Sequence, residues 1–327
     1  MTNNIKKLGL LTSGGDSPGM NAAIRAVVRT AIYNDLQVFG IYRGYQGMIE
    51  GEITPMQTTD VANIMQRGGT ILKTARSKDF MTDEGMKKAY EQVRQHSIDA
   101  LVLIGGDGTF RGANKFFERY NIPAVGIPGT IDKDLLGTDT TIGFDTAANT
   151  AVEAIDKIRD TAEAHDRLFV VEVMGRDAGF IALHSGLASG AEDILIPEQK
   201  RDIEDVLCRI DKDERRKKHV HIIVVSEHDE LGGGQKVFDS IKTRFPDLDT
   251  RLCILGHIQR GGSPSCADRV LAGRLGYGAV MALLQGKTQV MLGMINGAIA
   301  YTPFSNVIKS EPPISDDMLQ MIRVLSS

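Results

Sequence analysis

The sequence predicts an α/β fold built from two doubly wound, Rossmann-like three-layer domains. Short apolar runs of strand length recur along the chain, and each ends in a glycine-rich turn. Amphipathic segments with apolar residues at helical spacing stand behind several of these turns. The chain has 327 residues, which is more than one ordinary domain needs. Strands that alternate with helices in this way form parallel sheets with helices on both faces.

The first strand–loop–helix unit starts near the N-terminus. The apolar run "KLGLL" leads through "TSGGDSPGMN" into "AAIRAVVRTAIYN". Ile24, Val27, Val28 and Ile32 recur in the last segment at the spacing of one helix face. We expect the Ser17–Pro18 pair to provide the N-cap and first turn of this helix.

Five further apolar runs are predicted to be strands, and each precedes a loop rich in glycine or charge. They are "DALVLI" before "GGDGTFRGANKFF", "PAVGI" before "PGTIDKD", "RLFVVEV" before "MGRDAGF", "HIIVVS" before "EHDELGGG", and "LCIL" before "GHIQRGGSP". In open α/β sheets, ligands bind outside the carboxyl ends of the strands. These loops are therefore where we expect the functional site.

Composition argues against several classes of protein. A net charge of -4 gives no support to general nucleic-acid binding, and no apolar run approaches the ~20 residues of a membrane helix. Cys208, Cys253 and Cys266 are odd in number and scattered, so we expect neither a disulfide framework nor a structural zinc site. No signal peptide is visible. We expect a cytoplasmic protein without nucleic-acid or membrane partners.

Two glycine-rich loops are candidates for phosphate binding. Gly14 and Gly15 stand before the first helix, where backbone N–H groups suit an anion. For this pair alone, a tight turn without a ligand is an equally good interpretation. The loop "GGDGT", Gly105–Thr109, is more specific, because Asp107 offers a hard oxygen ligand for Mg²⁺ among glycines that permit close backbone approach. The alternative is a turn in which Asp107 bonds its own backbone.

Basic side chains gather at the ends of the predicted strands. They are Arg167, Arg176, Arg251, His257 and Arg260. A single loop arginine is most often a surface residue, but five basic residues at strand ends favour an anionic ligand such as a phosphate. Glu227 ends the run "HIIVVSE" and is able to accept hydrogen bonds from hydroxyl groups, although a solvated loop glutamate is more common.

The loop "GTIDKDLLGTD", Gly129–Asp139, places three acids and one base directly after the "PAVGI" strand. Such a composition is typical of a solvated turn. It also fits a site of phosphoryl transfer, where a carboxylate orients a hydroxyl and accepts its proton.

Six segments together resemble the bacterial ATP-dependent 6-phosphofructokinase family. They are "LTSGGDSPGMNAAIR", "RGGT", "IGGDGT", "PGTID", "VEVMGR" and "GHIQRGGSP", which occur in the family's order and cover nearly the whole chain. The resemblance implies two α/β domains with the active site in the cleft between them. The implied boundaries are 1–142 plus 259–309 for the ATP-binding domain and 143–258 plus 310–327 for the sugar-phosphate-binding domain.

The resemblance also implies a glycolytic reaction, the transfer of a phosphoryl group from Mg²⁺-ATP to fructose 6-phosphate by a homotetramer. Asp132 would be the base that takes the proton from the sugar 1-hydroxyl, with Thr130, Asp134 and Arg176 as further catalytic residues. The implied ATP residues are Gly15, Arg76, Ser77, Gly106, Asp107, Gly108 and Thr109, and Asp107 would also serve Mg²⁺. The implied substrate residues are Thr130, Ile131, Asp132, Arg167, Met174, Gly175, Arg176, Glu227, Arg251, His257 and Arg260. Of these, Arg167 and Arg251 would reach across a subunit interface.

A third set of residues resembles the family's effector pocket for ADP or phosphoenolpyruvate. It comprises Arg25, Arg29, Arg159, Gly190, Ala191, Glu192, Arg215, Lys217 and Lys218. A solvated helix end is the alternative for the basic run "RRKKH". Thr58 and Asn63 stand where the family pattern usually has Arg and Asp, so we expect a weakened or altered effector response.

Lys133 is the other departure, because the family's turn reads "GTIDND". A cation that approached Asp132 would make its carboxylate a weaker proton acceptor. Neighbouring residues of an extended chain point to opposite sides, so we expect Lys133 to face away and activity to survive.

Three alternatives remain open. The chain could be a kinase of another acceptor, since "GGDGT" also occurs in NAD and lipid kinases. It could be a catalytically silent regulatory subunit that binds nucleotide or sugar phosphate, or a pyrophosphate-dependent phosphofructokinase. Pyrophosphate users typically carry Asp after "GGD" and Lys before "TID", whereas this chain has Gly108 and Gly129 there. We therefore expect ATP as the donor and ADP as the product.

Overall fold

The chain groups into two compact α/β units, which confirms the predicted fold class. The computed structural model describes residues 5–199, 202–215, 220–307 and 314–325. The first unit contains the chain up to Ile131, Leu135–Thr146 and the segment that begins at Arg260. The second contains Asp132–Asp134, Ala147–Gln259 and the C-terminal helix.

The first unit is built on a sheet of seven strands within the described residues. The strands are β1 (Lys7–Thr12), β2 (Gln37–Ile41), β3 (Ile53–Met56), β4 (Ala100–Gly105), β5 (Ala124–Pro128), β10 (Val290–Ile295) and β11 (Ala298–Pro303). Their order is β11-β10-β5-β4-β1-β2-β3. The five central strands are parallel, and β3 and β11 pair antiparallel at the two edges.

Helices cover both faces of this sheet. They are α1 (Met20–Tyr33), α2 (Gly44–Glu50), α3 (Asp83–Gln95), α4 (Asp107–Tyr120) and α9 (Cys266–Leu284). One core cluster joins α1 and α9 to strand residues such as Leu8 and Leu10, and a second joins α2, α3 and α4 to the other face through Leu11 and Leu103. Adjacent residues of a strand point to opposite faces, so the leucines of the run "KLGLL" contribute to both cores.

The second unit has a parallel sheet of four described strands in the order β7-β8-β6-β9. These are β6 (Leu168–Val173), β7 (Asp193–Leu195), β8 (His221–Ser226) and β9 (Thr250–Ile254). The helices are α5 (Phe144–Glu163), α6 (Phe180–Ala188), α7 (Ile203–Arg215), α8 (Gly233–Arg244) and α10 (Asp316–Leu325). A 3₁₀ helix, Gly256–Arg260, follows β9.

All six predicted strands are present, but the prediction for the start of α1 is wrong. The helix begins at Met20, and its N-cap is Gly19 in a left-handed conformation with φ 108. Ser17 lies outside the helix and is completely buried. The strands at both edges of the first sheet pair antiparallel, which the sequence pattern did not predict.

Candidate active site

Two predicted phosphate loops of the first unit lie side by side. β4 ends at Gly105 and α4 begins at Asp107, so this carboxylate lies in the first turn of a helix. The hydroxyl of Thr109 donates a hydrogen bond to the Ser13 carbonyl over 3.1 Å. The hydroxyl of Thr74 donates to the Gly14 carbonyl over 2.7 Å. The first bond fixes the "TSGGD" loop against the "GGDGT" loop, and the second ties the "TSGGD" loop to the segment that contains Thr74.

Helix α2 connects the same loop to Ser77. The buried hydroxyl of Tyr45 donates to the Thr109 carbonyl over 2.5 Å, and burial raises the pKa of this phenol far above its usual range. The neighbouring Gln46 accepts a hydrogen bond from the Ser77 hydroxyl over 2.6 Å. Arg76 is exposed beside Ser77. Two adjacent residues of one short helix therefore position both Ser77 and Thr109.

Arg260 lies over the first glycine loop. Its guanidinium donates to the Asp16 carbonyl over 3.2 Å. A Cβ atom at Gly15 would lie 2.6 Å from Arg260 Nη1, so the glycine lets the guanidinium approach the backbone. An arginine keeps its charge at every working pH, and this loop therefore has a permanent cation beside it.

Asp107 pairs with Arg111 one helical turn later, with 2.9 Å between Oδ2 and Nη2. Within the described residues, no group of three or more histidine, cysteine or acidic side chains is placed to hold a metal ion. Mg²⁺ commonly binds through one or two carboxylates together with phosphate oxygens and water. Among the described residues, Asp107 is therefore not part of a cluster of three or more such side chains.

The loop Gly129–Asp139 buries two of its acids. Asp132 is 4% exposed and Asp134 is 6% exposed, which excludes a solvated turn. Arg176 Nε lies 3.7 Å from Asp132 Oδ2. A carboxylate removed from water needs a compensating charge or hydrogen bonds, and this guanidinium supplies the charge.

Lys133 stands between these buried acids in a left-handed conformation with φ 56. Its ammonium lies 5.2 Å from the centroid of the Phe180 ring at the start of α6. The extended backbone expected for Lys133 is therefore wrong. The turn, and not the alternation of a strand, sets the direction of this side chain.

A tight turn after β6, Met174–Arg176, presents three consecutive backbone N–H groups to two side chains. The Met174 N–H donates to Gln259 Oε1 over 2.9 Å. The Gly175 and Arg176 N–H groups donate to Glu227 Oε1 over 3.3 and 2.9 Å. Gly175 has φ 149, and a Cβ atom there would lie 2.3 Å from the Ala178 carbonyl oxygen, so only glycine fits.

Arg167 and Arg251 share one carboxylate at the amino-terminal starts of β6 and β9, and not at the carboxyl ends where ligands of such a sheet are expected. Arg167 Nε donates to Asp249 Oδ2 over 2.7 Å, and Arg251 Nη2 lies 3.0 Å from Asp249 Oδ1. The hydrogen bond from Arg167 holds the pKa of Asp249 below its usual range. His257 is exposed on the 3₁₀ helix that follows β9.

The residues of the expected effector pocket are divided between the units. Arg159 Nη2 donates to the Ser189 and Gly190 carbonyls, and Nη1 lies 3.7 Å from the buried Glu192. Arg25 and Arg29 lie on α1 in the first unit. Arg215 is the last residue of α7, and Lys217 and Lys218 lie outside the described residues.

Comparison with known proteins identifies the chain. A family profile described as Phosphofructokinase matches residues 7–283. This chain belongs to the phosphofructokinase family. It is 52% identical over 322 residues to ATP-dependent 6-phosphofructokinase 2 of Bacteroides thetaiotaomicron, with 98% of this chain and 99% of the relative covered. It is equally 52% identical to ATP-dependent 6-phosphofructokinase 1 of Thermus thermophilus, with 98% and 100% covered.

Solved phosphofructokinases have the same fold. A structure of phosphofructokinase from Saccharomyces cerevisiae matches 98% of this chain with a TM-score of 0.86 and 36% identity, and this chain spans 46% of that yeast chain. A pyrophosphate-dependent phosphofructokinase from Marinobacter aquaeolei matches with a TM-score of 0.84 and 25% identity, covering 99% of this chain and 92% of that one. A protein named for pyrophosphate shares the fold, so the fold alone does not decide the phosphoryl donor.

Sequence reasoning missed polar residues that hold the phosphofructokinase motifs in place. Asn21 on α1 is 1% exposed. Its Nδ2 donates to the Arg67 and Gly68 carbonyls, and its Oδ1 accepts from the Ile71 N–H over 2.8 Å, so it anchors the "RGGT" segment. A polar residue three positions before Ile24, on the apolar face of a helix, was the available signal.

Among the described helices, none combines the length and apolar character needed to cross a bilayer.

Proposed function

We propose that this protein phosphorylates fructose 6-phosphate with ATP and releases fructose 1,6-bisphosphate and ADP. The observation that carries the proposal is the buried Asp132 carboxylate beside the Arg176 guanidinium, on a loop that directly follows a parallel strand. Curated relatives of nearly the same length, about half identical to this chain, are named ATP-dependent 6-phosphofructokinases. The pyrophosphate-dependent alternative is not favoured.

In this proposal Asp132 is the base. Its carboxylate takes the proton from the 1-hydroxyl of the sugar as the hydroxyl oxygen attacks the γ-phosphorus of ATP. Phosphoryl transfer needs little covalent chemistry from a protein, so the remaining residues position the reactants and neutralise charge. Arg176 offers a guanidinium close to Asp132, where negative charge moves during transfer. Thr130 and the Ile131 backbone hold the acceptor sugar, and Asp134 is a supporting acid.

The nucleotide is assigned to the first unit. Gly15, Arg76, Ser77 and the loop Gly106–Thr109 bind ATP in this proposal. Mg²⁺ would be held through Asp107, where it would neutralise phosphate charge. The first turn of α4 contributes backbone N–H groups, which favour anions at a helix N-terminus.

The sugar phosphate is assigned to residues around the second sheet. Met174, Gly175, Arg176, Glu227 and His257 bind it together with Arg260. Arg167 and Arg251 are proposed to reach the sugar phosphate of a neighbouring subunit in a homotetramer. Asp249 supports that assignment, because it holds both guanidinium groups together at the amino-terminal starts of β6 and β9 in advance of a ligand.

Turnover of the purified protein tests the proposal. Fructose 6-phosphate is offered with Mg²⁺-ATP or with pyrophosphate, and formation of fructose 1,6-bisphosphate is measured. We expect turnover with ATP and negligible turnover with pyrophosphate. Asp132→Asn removes the base, so we expect kcat to fall by about 10²- to 10⁴-fold while the KM for ATP stays close to the parent value.

Asp35→Asn is the matched control for this variant. Asp35 is exposed and left-handed, with φ 59, a conformation that asparagine tolerates. Its kcat should equal that of the parent. Faster turnover with pyrophosphate would contradict the donor assignment. A kcat for Asp132→Asn within tenfold of the parent would contradict the role of the base.

A further inference from the structure

Gln259 is the buried side chain of the 3₁₀ helix Gly256–Arg260. It is 0% exposed, while its helix neighbours His257 and Ile258 are exposed. A glutamine completely removed from water needs hydrogen-bond partners for its amide, and each one left without a partner costs free energy. Its burial on a short element whose other residues are all at least partly exposed indicates a specific contact.

That contact is with the turn Met174–Arg176. Gln259 Oε1 accepts the hydrogen bond from the Met174 N–H. The acceptor must be the amide oxygen, because a backbone N–H cannot donate to the NH₂ group. Within the described residues, Nε2 is buried without a hydrogen-bond partner. The side chain therefore works here through its oxygen alone.

The turn that Gln259 holds carries a side chain of the proposed chemistry. The next two N–H groups of the turn are bound by Glu227, so the two side chains together fix three consecutive peptides. Arg176 has φ 54, a conformation that costs free energy for a residue with a Cβ and persists only when its surroundings hold it. From this backbone its guanidinium reaches Asp132.

We propose that Gln259 is a positioning residue for the sugar phosphate: its carboxamide oxygen braces the 256–260 helix against the Met174–Arg176 turn. The brace sets the spacing between His257 and Arg176, and it helps to hold Arg176 in its left-handed conformation. Gln259 touches neither substrate nor nucleotide in this role. The inference rests on the proposed function for the identity of the ligand, but the hydrogen bond itself does not.

The variants Gln259→Met and Gln259→Glu test the role of the amide oxygen separately from the role of the rest of the side chain. Methionine keeps the length and removes the acceptor, which leaves the Met174 N–H buried without a partner. We expect its KM for fructose 6-phosphate to rise about 10- to 100-fold, while the KM for ATP changes less than about 3-fold. Glutamic acid keeps an oxygen at the same place, and burial favours its neutral form. We expect this variant to keep both KM values within about 3-fold of the parent.

Gln289→Met is the matched control. The amide of Gln289, in the first unit, makes no hydrogen bond within the described residues. The same chemical change there should leave the KM for fructose 6-phosphate unaltered. If Gln259→Met does not fold, Gln259→Asn replaces it, since its shorter side chain withdraws the oxygen from Met174 and predicts the same rise.

Hydrogen exchange at the Met174 amide makes the test independent of activity. Its protection should be lost in Gln259→Met and kept in Gln259→Glu, whether or not the parent turns over fructose 6-phosphate. Absence of parental turnover would refute the proposed function and leave this readout to decide on Gln259. Equal protection of the Met174 amide in both variants would overturn the inference. So would an equal rise of the KM for fructose 6-phosphate and the KM for ATP in Gln259→Met, or a KM for fructose 6-phosphate that rises as much in Gln259→Glu as in Gln259→Met.

Discussion

At Lys133, an unfavourable backbone conformation and a favourable contact with an aromatic ring make opposing contributions to the free energy of folding. A left-handed conformation costs a residue with a Cβ about 1–2 kcal/mol, and asparagine adopts it more readily. An ammonium over an aromatic ring contributes about 0.5–2 kcal/mol, depending on its exposure. Lys133 is half-buried over Phe180, so the contact with the ring offsets the strain of the turn.

We therefore expect Lys133→Asn to leave both stability and activity nearly unchanged. It relieves the strain and removes the cation–π contact, so Tm should move by no more than about 4 °C. Its kcat should stay within about tenfold of the parent, since Asp132 and Arg176 are unaltered. Lys287→Asn is the control: it removes a similar contact, with Tyr301 at 3.7 Å, without relieving a left-handed backbone. A rise in kcat of several orders of magnitude for Lys133→Asn would show that the lysine strongly reduces turnover in the parent protein.

Single residues of the site differ in how far the sequence predicts them. Asp107, Asp132 and Arg176 are predicted because they fall in motifs, and the structure places Asp107 at a helix start and the other two in the loops that follow β5 and β6. Gln259 was not assigned, because its partner lies 85 positions away. Such a contact leaves no trace in local periodicity, and only the folded chain brings the two segments together.

At the level of elements, prediction succeeds where the signal is local. The six apolar runs became strands because their period and their turns are encoded within a few residues. The start of α1 was misjudged because Ser17 and Pro18 fit the pattern of an N-cap and first turn, whereas the helix begins only at Met20 and the fully buried Ser17 lies outside it. The antiparallel edges were not predicted, because strand direction at an edge depends on where the chain turns back.

Helix α4 allows a clean test of the phosphoryl donor. Gly108 is the second residue of the helix, and a Cβ atom there would meet nothing within 4 Å. An acid in the first turn also suits the helix dipole, so Gly108→Asp should fold at least as stably as the parent. In the proposed complex its charge would repel the nucleotide's α-phosphate. We expect kcat/KM for ATP to fall by about 10²-fold, measured with saturating fructose 6-phosphate.

Gly273→Asp on α9 is the control for that variant, since a Cβ atom at Gly273 likewise meets nothing within 4 Å. It adds the same charge far along another helix and should keep the parental kcat/KM. Gly129 is less suitable for the test. A Cβ atom there would lie 3.0 Å from Met20 and 3.1 Å from Ile104, so a lysine would disturb packing as well as charge. Undiminished use of ATP by Gly108→Asp would refute the charge argument.

Across the whole molecule, the proposed functional residues are divided between the two units of the fold. The ATP residues lie in the first unit, and most sugar-phosphate residues lie in the second, together with Asp132–Asp134. The sequence predicts the membership of each set through its motifs. It does not predict that residues 132–134 group with the second unit while both flanking segments group with the first. That grouping depends on tertiary contacts such as the pair formed by Asp132 and Arg176.

Regulation is the property that involves the whole molecule, and we expect it to be weak. Arg159 and the buried Glu192, two residues of the expected effector pocket, are paired in the second unit. Thr58 is an exposed neutral residue in a turn where the family pattern usually supplies an arginine, so an anionic effector bound there would lack one counter-charge. An allosteric ligand typically changes affinity about 5- to 150-fold. We expect phosphoenolpyruvate and ADP to shift the half-saturating concentration of fructose 6-phosphate less than about 5-fold here.

Saturation curves with fructose 6-phosphate, recorded with and without each effector, measure that shift. Thr58→Arg restores the missing cation and should enlarge the response to phosphoenolpyruvate. Thr59→Arg is the matched control, because it adds the same charge at the neighbouring exposed position and should not enlarge the response. An equal gain in both variants would mean that general charge, and not position 58, governs binding. A strongly sigmoidal shift in the parent protein would show that the pocket works without an arginine at position 58, and that Thr58 and Asn63 do not weaken regulation.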